Sequence, residues 1–416
     1  MSAAPAAADS LEVDVAIVGG GMVGASLAAG LAGSGLRLLL IEAVPFGASG
    51  QPSFDERTTA LGNASRRIFE GLGVWNDIAL EAAAIRTIHI SDAGRFGCAR
   101  LRAAEQGIEA FGYVVPNRRI GAALWGPLTR AAGLTLRVPG RVEDIAIDAG
   151  GVRLTAVTAG RREAVSARLV VAADGAHSQI RSAAGIEAAV EDYQQVAVVA
   201  NVASDTPHEG TAYERFTPAG PLAVLPLADG TLAVVWACRR EDAARVLALD
   251  DVAWLRELQS RFGWRAGRFV RAGRRASYPL ELTRALSPVA TRTVLIGNAA
   301  QGLHPVAGQG FNLGLRDAAM LAEVLAGSSG DVGAPALLER FAAWRASDRS
   351  GVTRFTDGLV RLFGDSRPGV GVLRNLGLLL FDLSPPAKSA LARVSLGFGG
   401  PTPRLARGLR LPVRHA

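Results

Sequence analysis

The sequence predicts an α/β fold in which a parallel sheet is joined by an antiparallel sheet and by C-terminal helices. Three apolar segments, 13–18, 169–173 and 293–296, each run directly into a glycine-containing turn, as buried parallel strands do. Segments such as 88–92 and 232–236 mix apolar and polar positions instead, which indicates antiparallel strands with one buried face.

Composition limits the class of protein. The chain has 416 residues, of which 49% are hydrophobic and 20% charged, so it can bury a large core and is not disordered. Its mean hydropathy is positive, at +0.22, but no run of 18 apolar residues occurs, which argues against a membrane-spanning helix. Cys98 and Cys238 have no metal-ligand spacing, so neither a disulfide framework nor a metal site is predicted.

The positive charge is concentrated at one end. The formal net charge is +7, and all but one of the 45 basic residues are arginine. Six basic residues and no acidic ones follow Asp382: Lys388, Arg393, Arg404, Arg407, Arg410 and Arg414. Because the excess is terminal and no aromatic-interleaved patch accompanies it, no nucleic-acid partner is expected, and an anionic membrane surface suits it better.

A glycine-rich turn follows the first strand. The pattern GxGxxG, at Gly19, Gly21 and Gly24, lies between an apolar strand and a small-residue helix, and the next strand ends at Glu42. In a Rossmann-like unit these glycines allow the turn, the approach of a diphosphate and close helix packing, while the acidic residue accepts from a ribose hydroxyl. This predicts a dinucleotide site, although the motif alone does not separate NAD from FAD. The alternative is a turn that only packs a helix on a sheet.

Two further strands carry turns of their own. The segment 169–173 ends at Asp174-Gly175, and the segment 293–296 runs into Gly297-Asn298 and then a glycine-rich stretch to Gly314. Apolar spacing beyond position 313 predicts a long helix. Alone, the first of these segments is an ordinary strand and turn.

Together and in this order, the three segments resemble the class A flavoprotein monooxygenases of the para-hydroxybenzoate hydroxylase fold. More narrowly, the chain resembles the UbiH/UbiF/VisC group, the FAD-dependent hydroxylases of ubiquinone biosynthesis, over roughly residues 13–397. The other matching motifs are Asp55-Glu56-Arg57, Leu72-Gly73-Val74-Trp75, Gly112-Tyr113-Val114-Val115, Glu214-Arg215-Phe216, Leu225-Pro226-Leu227 and the run from His304 to Asp317.

The resemblance implies an activity. It implies FAD as cofactor, NAD(P)H as a transient co-substrate, and O2 that adds to flavin C4a to form the hydroxylating hydroperoxide. The implied substrate is a polyprenyl phenol, with 2-polyprenyl-6-methoxyphenol converted to the benzoquinol, and a ubiquinone-biosynthesis complex is a possible partner. Two alternatives stay open: a class A monooxygenase of a soluble aromatic or secondary metabolite, and a catalytically idle flavoprotein scaffold.

The resemblance also implies the cofactor site. The family usually has aspartate where this chain has Asn298, a departure typical of the UbiH branch. Arg57 is expected near FAD, with a salt bridge to Asp55 as the alternative. The predicted cofactor-binding residues are Gly19, Gly21, Gly24, Glu42, Arg57, Asp174, Asn298, Gly308, Gln309, Gly310 and Asn312.

Catalysis is expected from the cofactor rather than from a protein nucleophile. A helix starting near Gly310 would direct its positive end at the flavin. His304 and Pro305 are the candidate catalytic residues. His304 could orient or deprotonate the phenol, or it could be a structural imidazole.

The expected domain division is discontinuous. Residues 1–80, 110–185 and 280–345 are predicted to bind FAD, 81–109 and 186–279 to form the substrate-binding sheet, and 346–416 to form C-terminal helices and a basic tail. A cytoplasmic protein is expected because the Ala-rich N-terminal segment lacks a basic start. For the C-terminal helices, a peripheral contact with the inner face of the membrane and a purely structural role both stay open.

Overall fold

The protein is described from a computed structural model, which covers residues 10–48, 57–302, 308–364, 367, 369–397 and 402–411. Within these residues the strands are β1 Leu11–Val18, β2 Leu38–Ile41, β3 Thr58–Gly62, β4 Ala83–Ile85, β5 Thr87–Asp92, β6 Cys98–Arg102, β7 Gly112–Pro116, β8 Leu134–Arg137, β9 Gly140–Ile147, β10 Val152–Thr158, β11 Arg161–Ala172, β12 Ala188–Ser204, β13 Thr211–Thr217, β14 Gly220–Pro226, β15 Leu232–Arg239, β16 Phe269–Ala272, β17 Ala276–Ala285, β18 Val289–Ala290, β19 Thr293–Leu295 and β20 Gln301–Gly302. The α-helices of the same residues are α1 Met22–Leu31, α2 Asn63–Gly71, α3 Trp75–Ala79, α4 Asn117–Leu128, α5 Gln179–Ala183, α6 Arg240–Ala248, α7 Asp251–Phe262, α8 Gln309–Ala326, α9 Pro335–Gly364, α10 Val370–Asp382 and α11 Pro385–Ser395.

The first sheet has a parallel core in the order β8-β2-β1-β11-β19. Alternate residues of β1 enter different apolar clusters. Val15 and Ile17 pack with α1, α4 and α8, whereas Ala16 and Val18 pack on the opposite side with residues of β10 and β11. Since both faces are covered, the strand is apolar throughout rather than alternating. The predicted Rossmann-like unit is confirmed.

The second sheet runs in the order β20-β17-β12-β15-β14-β13-β5-β6, with β16 also paired to β12. The segments predicted as its strands, 88–92, 197–202, 212–216 and 232–236, all lie in it. A third, small sheet joins β3, β7 and β4. The fold class, a Rossmann-like domain with an antiparallel sheet and C-terminal helices, is confirmed.

One detail of the strand prediction is wrong. The pair β5 and β13 is parallel, with Thr87 opposite Thr211 and Asp92 opposite Phe216. Alternation reports which face of a strand is buried, but the direction of a neighbour depends on the connection. Here β5 and β13 are joined by a connection that passes through the parallel sheet, so the chain can return in the same direction.

A buried ion cluster joins α8 to α9. Arg345 is completely buried and donates to Asp317 over 2.7 Å and also to Asp348. Arg316 donates to Asp348 over 2.8 Å, and Arg349 lies 3.2 Å from Asp317. Because each buried charge has an opposite partner, the cluster fixes the two helices relative to each other.

Helix α10 packs against β6, and α11 packs against α10. Over the described part of the chain, every helix is too short or too polar to cross a bilayer. The domain boundaries given above stay a prediction.

Candidate active site

The turn after β1 is closely packed. Gly19 has a φ of +101°, and a Cβ there would overlap the carbonyl of Ala173 at the end of β11. A Cβ on Gly24 would overlap the carbonyl oxygen of Gly19 itself. The first and third glycines of the motif are therefore required by contact between β1, α1 and β11.

The N-terminus of α1 is available to an anion. The helix begins at Met22, its N-cap is Gly21 without a side-chain cap, and its first turn has no acidic residue. Gly21, Met22 and Val23 line a large cavity. Unsatisfied N–H groups and the helix dipole make such an end suitable for a diphosphate.

Glu42 holds the turn after β1 by accepting two backbone hydrogen bonds. Its Oε2 accepts from the N–H of Gly20 over 2.6 Å, and its Oε1 accepts from the N–H of Val44 over 2.8 Å. Trp125 on α4 donates from Nε1 to the carbonyl of Gly20 over 3.2 Å. Sequence reasoning missed the contact between Gly20 and Trp125, because two residues 105 positions apart leave no local pattern in the sequence.

Asp174 lies directly behind the cavity wall formed by Ala173 and Gly175. Its Oδ2 accepts from the N–H of Ile180 over 3.3 Å, while its Oδ1 is buried without a hydrogen-bond partner among the described residues. Burial raises the pKa of this carboxyl group. A buried acceptor of this kind is costly unless a donor reaches it, so the residue fits contact with a hydroxyl-rich ligand.

The turn after β19 faces the same cavity. Asn298 is exposed there, one residue after Gly297, whose φ is +58°. Arg181 links this turn to the Asp-Gly turn by donating to the carbonyls of Ala299, over 3.0 Å, and Ala176, over 2.8 Å. Two of the predicted segments are thus held together by one side chain.

The start of α8 forms the far end of this wall. The helix begins at Gln309, one residue before the predicted start, with Gly308 as N-cap in the left-handed region at φ +60°. Gly310 has open space beside it. Gly308, Gln309 and Gly310 all line the cavity, so backbone N–H groups of an uncapped helix end face the ligand space.

Asn312 lines the cavity but commits its side chain to the protein. Its Oδ1 accepts from Gly62 N–H over 2.8 Å and from Ser65 Oγ over 2.6 Å. Its Nδ2 donates to the carbonyls of Ala60 and Gly308, over 2.8 and 2.7 Å. The residue therefore positions the start of α8 against β3, and its contact with the cofactor stays a prediction.

Arg57 also lines the cavity. Its guanidinium lies over the ring of Tyr278, 4.2 Å from the centroid, which holds the charge in a partly desolvated setting. The alternative partner Asp55 lies outside the described residues, as do His304 and Pro305, the candidate catalytic residues.

The cavity has a volume of about 1720 Å³ and continues beyond these turns into an apolar chamber between the antiparallel sheet and the C-terminal helices. The chamber walls include Ile90, Phe216, Leu225, Phe363 and Phe381. The rings of Phe216 and Phe363 stack with centroids 3.6 Å apart.

Residues of the antiparallel sheet divide between the chamber wall and the core behind it. Phe216 and Leu225 line the cavity, whereas Trp236 packs on Trp254 in the cluster beneath α7. Neighbouring residues of a strand face opposite sides, and it is Val235 that faces the cavity.

Of the predicted cofactor residues, seven line this one cavity: Gly21, Arg57, Asn298, Gly308, Gln309, Gly310 and Asn312. The other four support the same wall from behind: Gly19, Gly24, Glu42 and Asp174. Two uncapped helix ends, one buried unpartnered carboxylate oxygen and an elongated cavity fit an extended dinucleotide.

Comparison with known proteins agrees with this geometry. A family model described as an FAD binding domain matches residues 12–356. Ubiquinone hydroxylase UbiL of Rhodospirillum rubrum is 38% identical over 405 residues, which cover 96% of this chain and 93% of that protein. The 3-demethoxyubiquinol 3-hydroxylase of Escherichia coli is 34% identical over 399 residues, with 92% and 98% covered.

Among solved structures, p-nitrophenol 4-monooxygenase PnpA from Pseudomonas putida DLL-E4 has a TM-score of 0.78 at 19% identity, covering 94% of this chain and 99% of that one, a likeness of fold alone. The matched family model, the curated relatives and the glycine turns that the sequence predicted all point the same way. The chain belongs to the FAD-dependent monooxygenases, in the family of the ubiquinone-biosynthesis hydroxylases.

Proposed function

We propose that this FAD-dependent aromatic hydroxylase acts on a polyprenyl phenol and converts 2-polyprenyl-6-methoxyphenol to the benzoquinol in ubiquinone biosynthesis. O2 is the proposed oxygen source, and NAD(P)H is the proposed reductant, bound transiently. The names of its relatives, a ubiquinone hydroxylase and a demethoxyubiquinol hydroxylase, support a substrate of this class.

The continuous cavity is the observation that carries the proposal. Its volume of about 1720 Å³ exceeds the roughly 300–1,000 Å³ of a typical small-molecule site. It therefore has room for a dinucleotide and for a second molecule beside it. The apolar chamber favours a substrate with a hydrocarbon tail over a small charged aromatic, which supports the polyprenyl phenol against the soluble alternative.

The residues of the chain would bind and orient both molecules. FAD, when bound, supplies the redox chemistry and the activation of O2. The uncapped N–H groups of α1 would hold the diphosphate. Asp174 and Asn298 would accept from or donate to hydroxyl groups between the two ends. The N-terminus of α8 would stabilise negative charge at the ring end.

Exclusion of water is the second task of the protein. The walls around the chamber are largely apolar, with Phe216, Phe363 and Phe381 among them. An apolar enclosure limits the side reaction of an activated oxygen species with water. We propose that His304 orients the phenol or takes its proton and that Pro305 assists it. His304→Gln should then lower kcat and flatten its pH profile while the protein still binds FAD.

The proposal extends to where the reaction takes place. A polyprenyl phenol resides in a bilayer, so a cytoplasmic enzyme that acts on it needs contact with the inner face of the membrane or with a carrier in a ubiquinone-biosynthesis complex.

Complementation tests the substrate. The gene is introduced into bacterial strains that each lack one ubiquinone-pathway ring hydroxylase, and the quinone intermediates are identified by mass spectrometry. Rescue only of the step from the methoxyphenol to the benzoquinol supports the proposal. Rescue of the demethoxyubiquinol step instead would move the reaction to another ring carbon, as the name of the Escherichia coli relative allows.

A second assay addresses the idle-scaffold alternative and the reductant. Purified FAD-loaded protein is mixed with NADH or NADPH and a short-chain polyprenyl phenol, and both reductant consumption and hydroxylated product are measured. A phenol-dependent increase in both supports an enzyme. Consumption without product, or none at all with every phenol, would exclude the proposed activity.

A further inference from the structure

Helix α10 has its polar and apolar faces inverted relative to an ordinary surface helix. Its outward positions are apolar: Leu373 is 70% exposed, Leu380 is 69% exposed, and Leu383, just past the end of the helix, is 79% exposed. Together with Val372, Leu376 and Gly377 these residues form one stripe, here called the outer face of α10. A helix in contact only with water normally exposes its polar residues instead.

The polar residues of α10 point inward and are bonded to the edge of the antiparallel sheet. Asn375 Oδ1 accepts from the N–H of Gly97 over 2.6 Å. Arg374 forms a buried ion pair with Asp92 at 2.7 Å. Asp382 accepts from the N–H of a residue in β6 over 2.8 Å. These directed bonds fix the rotation of the helix, so the leucines of its outer face stay on the solvent side.

The outer face continues into the cavity. Leu373 and Gly377 belong both to the outer face and to the cavity lining, and Leu378 and Phe381 on the adjacent side of the helix line the chamber. The inner end of this path is the region proposed to hold the aromatic ring. An apolar tail lying on the outer face of α10 therefore meets residues of the same helix that line the chamber.

A basic residue lies at each end of α10. The Arg95 guanidinium lies against Gly371 in the first turn of α10, and the next residue, Phe96, is 74% exposed. Asp382, the last acidic residue of the chain, is neutralised by Lys388 at 3.1 Å. Arg95 and Lys388 therefore place cationic groups at the two ends of α10. A leucine strip with cationic groups at its ends complements an apolar layer beneath anionic headgroups.

We propose that the outer face of α10, with Phe96, inserts into the interfacial layer of an anionic bilayer, and that the substrate tail enters the cavity along it. The choice of a lipid surface over a protein partner follows from the basic residues at the two ends of α10 and from the continuity of the face with the cavity. The reason why docking would serve the enzyme depends on the proposed function, but the docking itself does not.

The test uses the full-length FAD-loaded protein and vesicle flotation. Vesicles of phosphatidylcholine containing phosphatidylglycerol should bind it, with weaker binding to phosphatidylcholine alone and at high salt. The double variant Leu376→Gln/Leu380→Gln should bind roughly tenfold or more weakly. Neither leucine lines the cavity, so hydroxylation of a short-chain soluble phenol should be unchanged.

Leu80→Gln/Leu286→Gln is the matched control, because both leucines are comparably exposed but lie on other elements. Equal loss of binding in both double variants would overturn the proposal, as would absence of binding by the unaltered protein. Analytical sedimentation at several protein concentrations tests whether a second copy of the chain occupies this face instead. A dimer that the α10 double variant abolishes would assign the face to self-association and overturn the proposal. Failure of hydroxylation with vesicle binding intact would count against the proposed function alone.

Discussion

The backbone N–H of Gly297 donates to the carboxylate of Asp317 across 3.3 Å. This bond ties the turn that carries Asn298 to α8. The other oxygen of Asp317 accepts from the buried Arg345 over 2.7 Å. The cavity wall is thus joined to the ion cluster between α8 and α9, and we expect Asp317 to affect FAD binding through the position of the turn.

Replacement of Asp317 tests this connection. Asp317→Asn keeps the size of the side chain but leaves Arg345 without one of its two buried anions, so we expect the free energy of unfolding to fall by about 3 kcal/mol. The FAD content of purified protein should fall with it. Urea unfolding and the flavin-to-protein absorbance ratio measure the two effects.

Asp242→Asn is the control for that change. Asp242 pairs with Arg245 at 3.5 Å on the surface, and exposed pairs contribute about 1 kcal/mol or less. A similar loss of stability and of FAD in both variants would show that the cluster has no special connection to the site.

Two glycine-to-alanine changes in helices should have opposite effects. Gly24→Ala places a methyl group onto the carbonyl of Gly19, so we expect a loss of about 1–3 kcal/mol and a large drop in bound FAD. Gly351→Ala in α9 meets open space at an exposed helical position and should raise stability by about 0.5–1 kcal/mol. Thermal unfolding and flavin content distinguish them, and an FAD-replete Gly24→Ala protein would contradict the proposed packing.

Asn312 provides a test of how the start of α8 is held against β3. Asn312→Asp turns two donors into acceptors facing the carbonyls of Ala60 and Gly308, and unsatisfied buried groups cost about 1–3 kcal/mol each. We expect the FAD Kd, measured by fluorescence quenching, to rise at least about tenfold. Ser65→Ala, which removes one bond from the same amide, should cost about 1 kcal/mol. Equal effects would contradict the argument.

His89 should make stability dependent on pH. Burial, with nearby Arg265 and Arg100, lowers the pKa of His89 from 6.5 to about 4. Since the unfolded chain binds the proton more readily, the free energy of unfolding should fall as pH drops from 6.5 through 4, by about 3 kcal/mol in total. Both ring nitrogens lack a partner among the described residues, so His89→Leu should remove this dependence without loss at pH 7. Urea titrations at several pH values measure it, and an unchanged slope in the variant would disprove the assignment.

The parallel sheet and its turns could be predicted because their signals are local. A strand buried on both faces is apolar throughout, and a turn as crowded as that at Gly19 accepts glycine alone. Both features therefore produce a recognisable pattern within a few residues of sequence. The helix of α8 was predicted within one residue of its start at Gln309 for the same reason. Where the predicted site residues meet depends on the order of strands, which the family resemblance supplied.

Relationships between distant residues could not be predicted. The sequence around Trp125 contains no pattern that predicts its hydrogen bond to Gly20. Arg345, the buried partner of Asp317, lies on another helix, so their ion pair could not be predicted either. The direction of β5 beside β13 and the side of the sheet that Trp236 faces depend on pairings and packing that single-strand patterns do not contain. The apolar sequence of α10 left its role open, and only the rotation fixed by Arg374 and Asn375 shows which face is outside.

We expect Asp174 to make the stability of the folded chain depend on the supply of flavin. The folded protein carries the cost of a buried carboxylate oxygen without a donor among the described residues, and a hydroxyl of the bound cofactor would remove that cost. A ligand that binds only the folded state adds stability in proportion to the logarithm of its free concentration. Riboflavin scarcity should therefore shorten the lifetime of this enzyme in the cell, so that its abundance as well as its activity follows flavin metabolism.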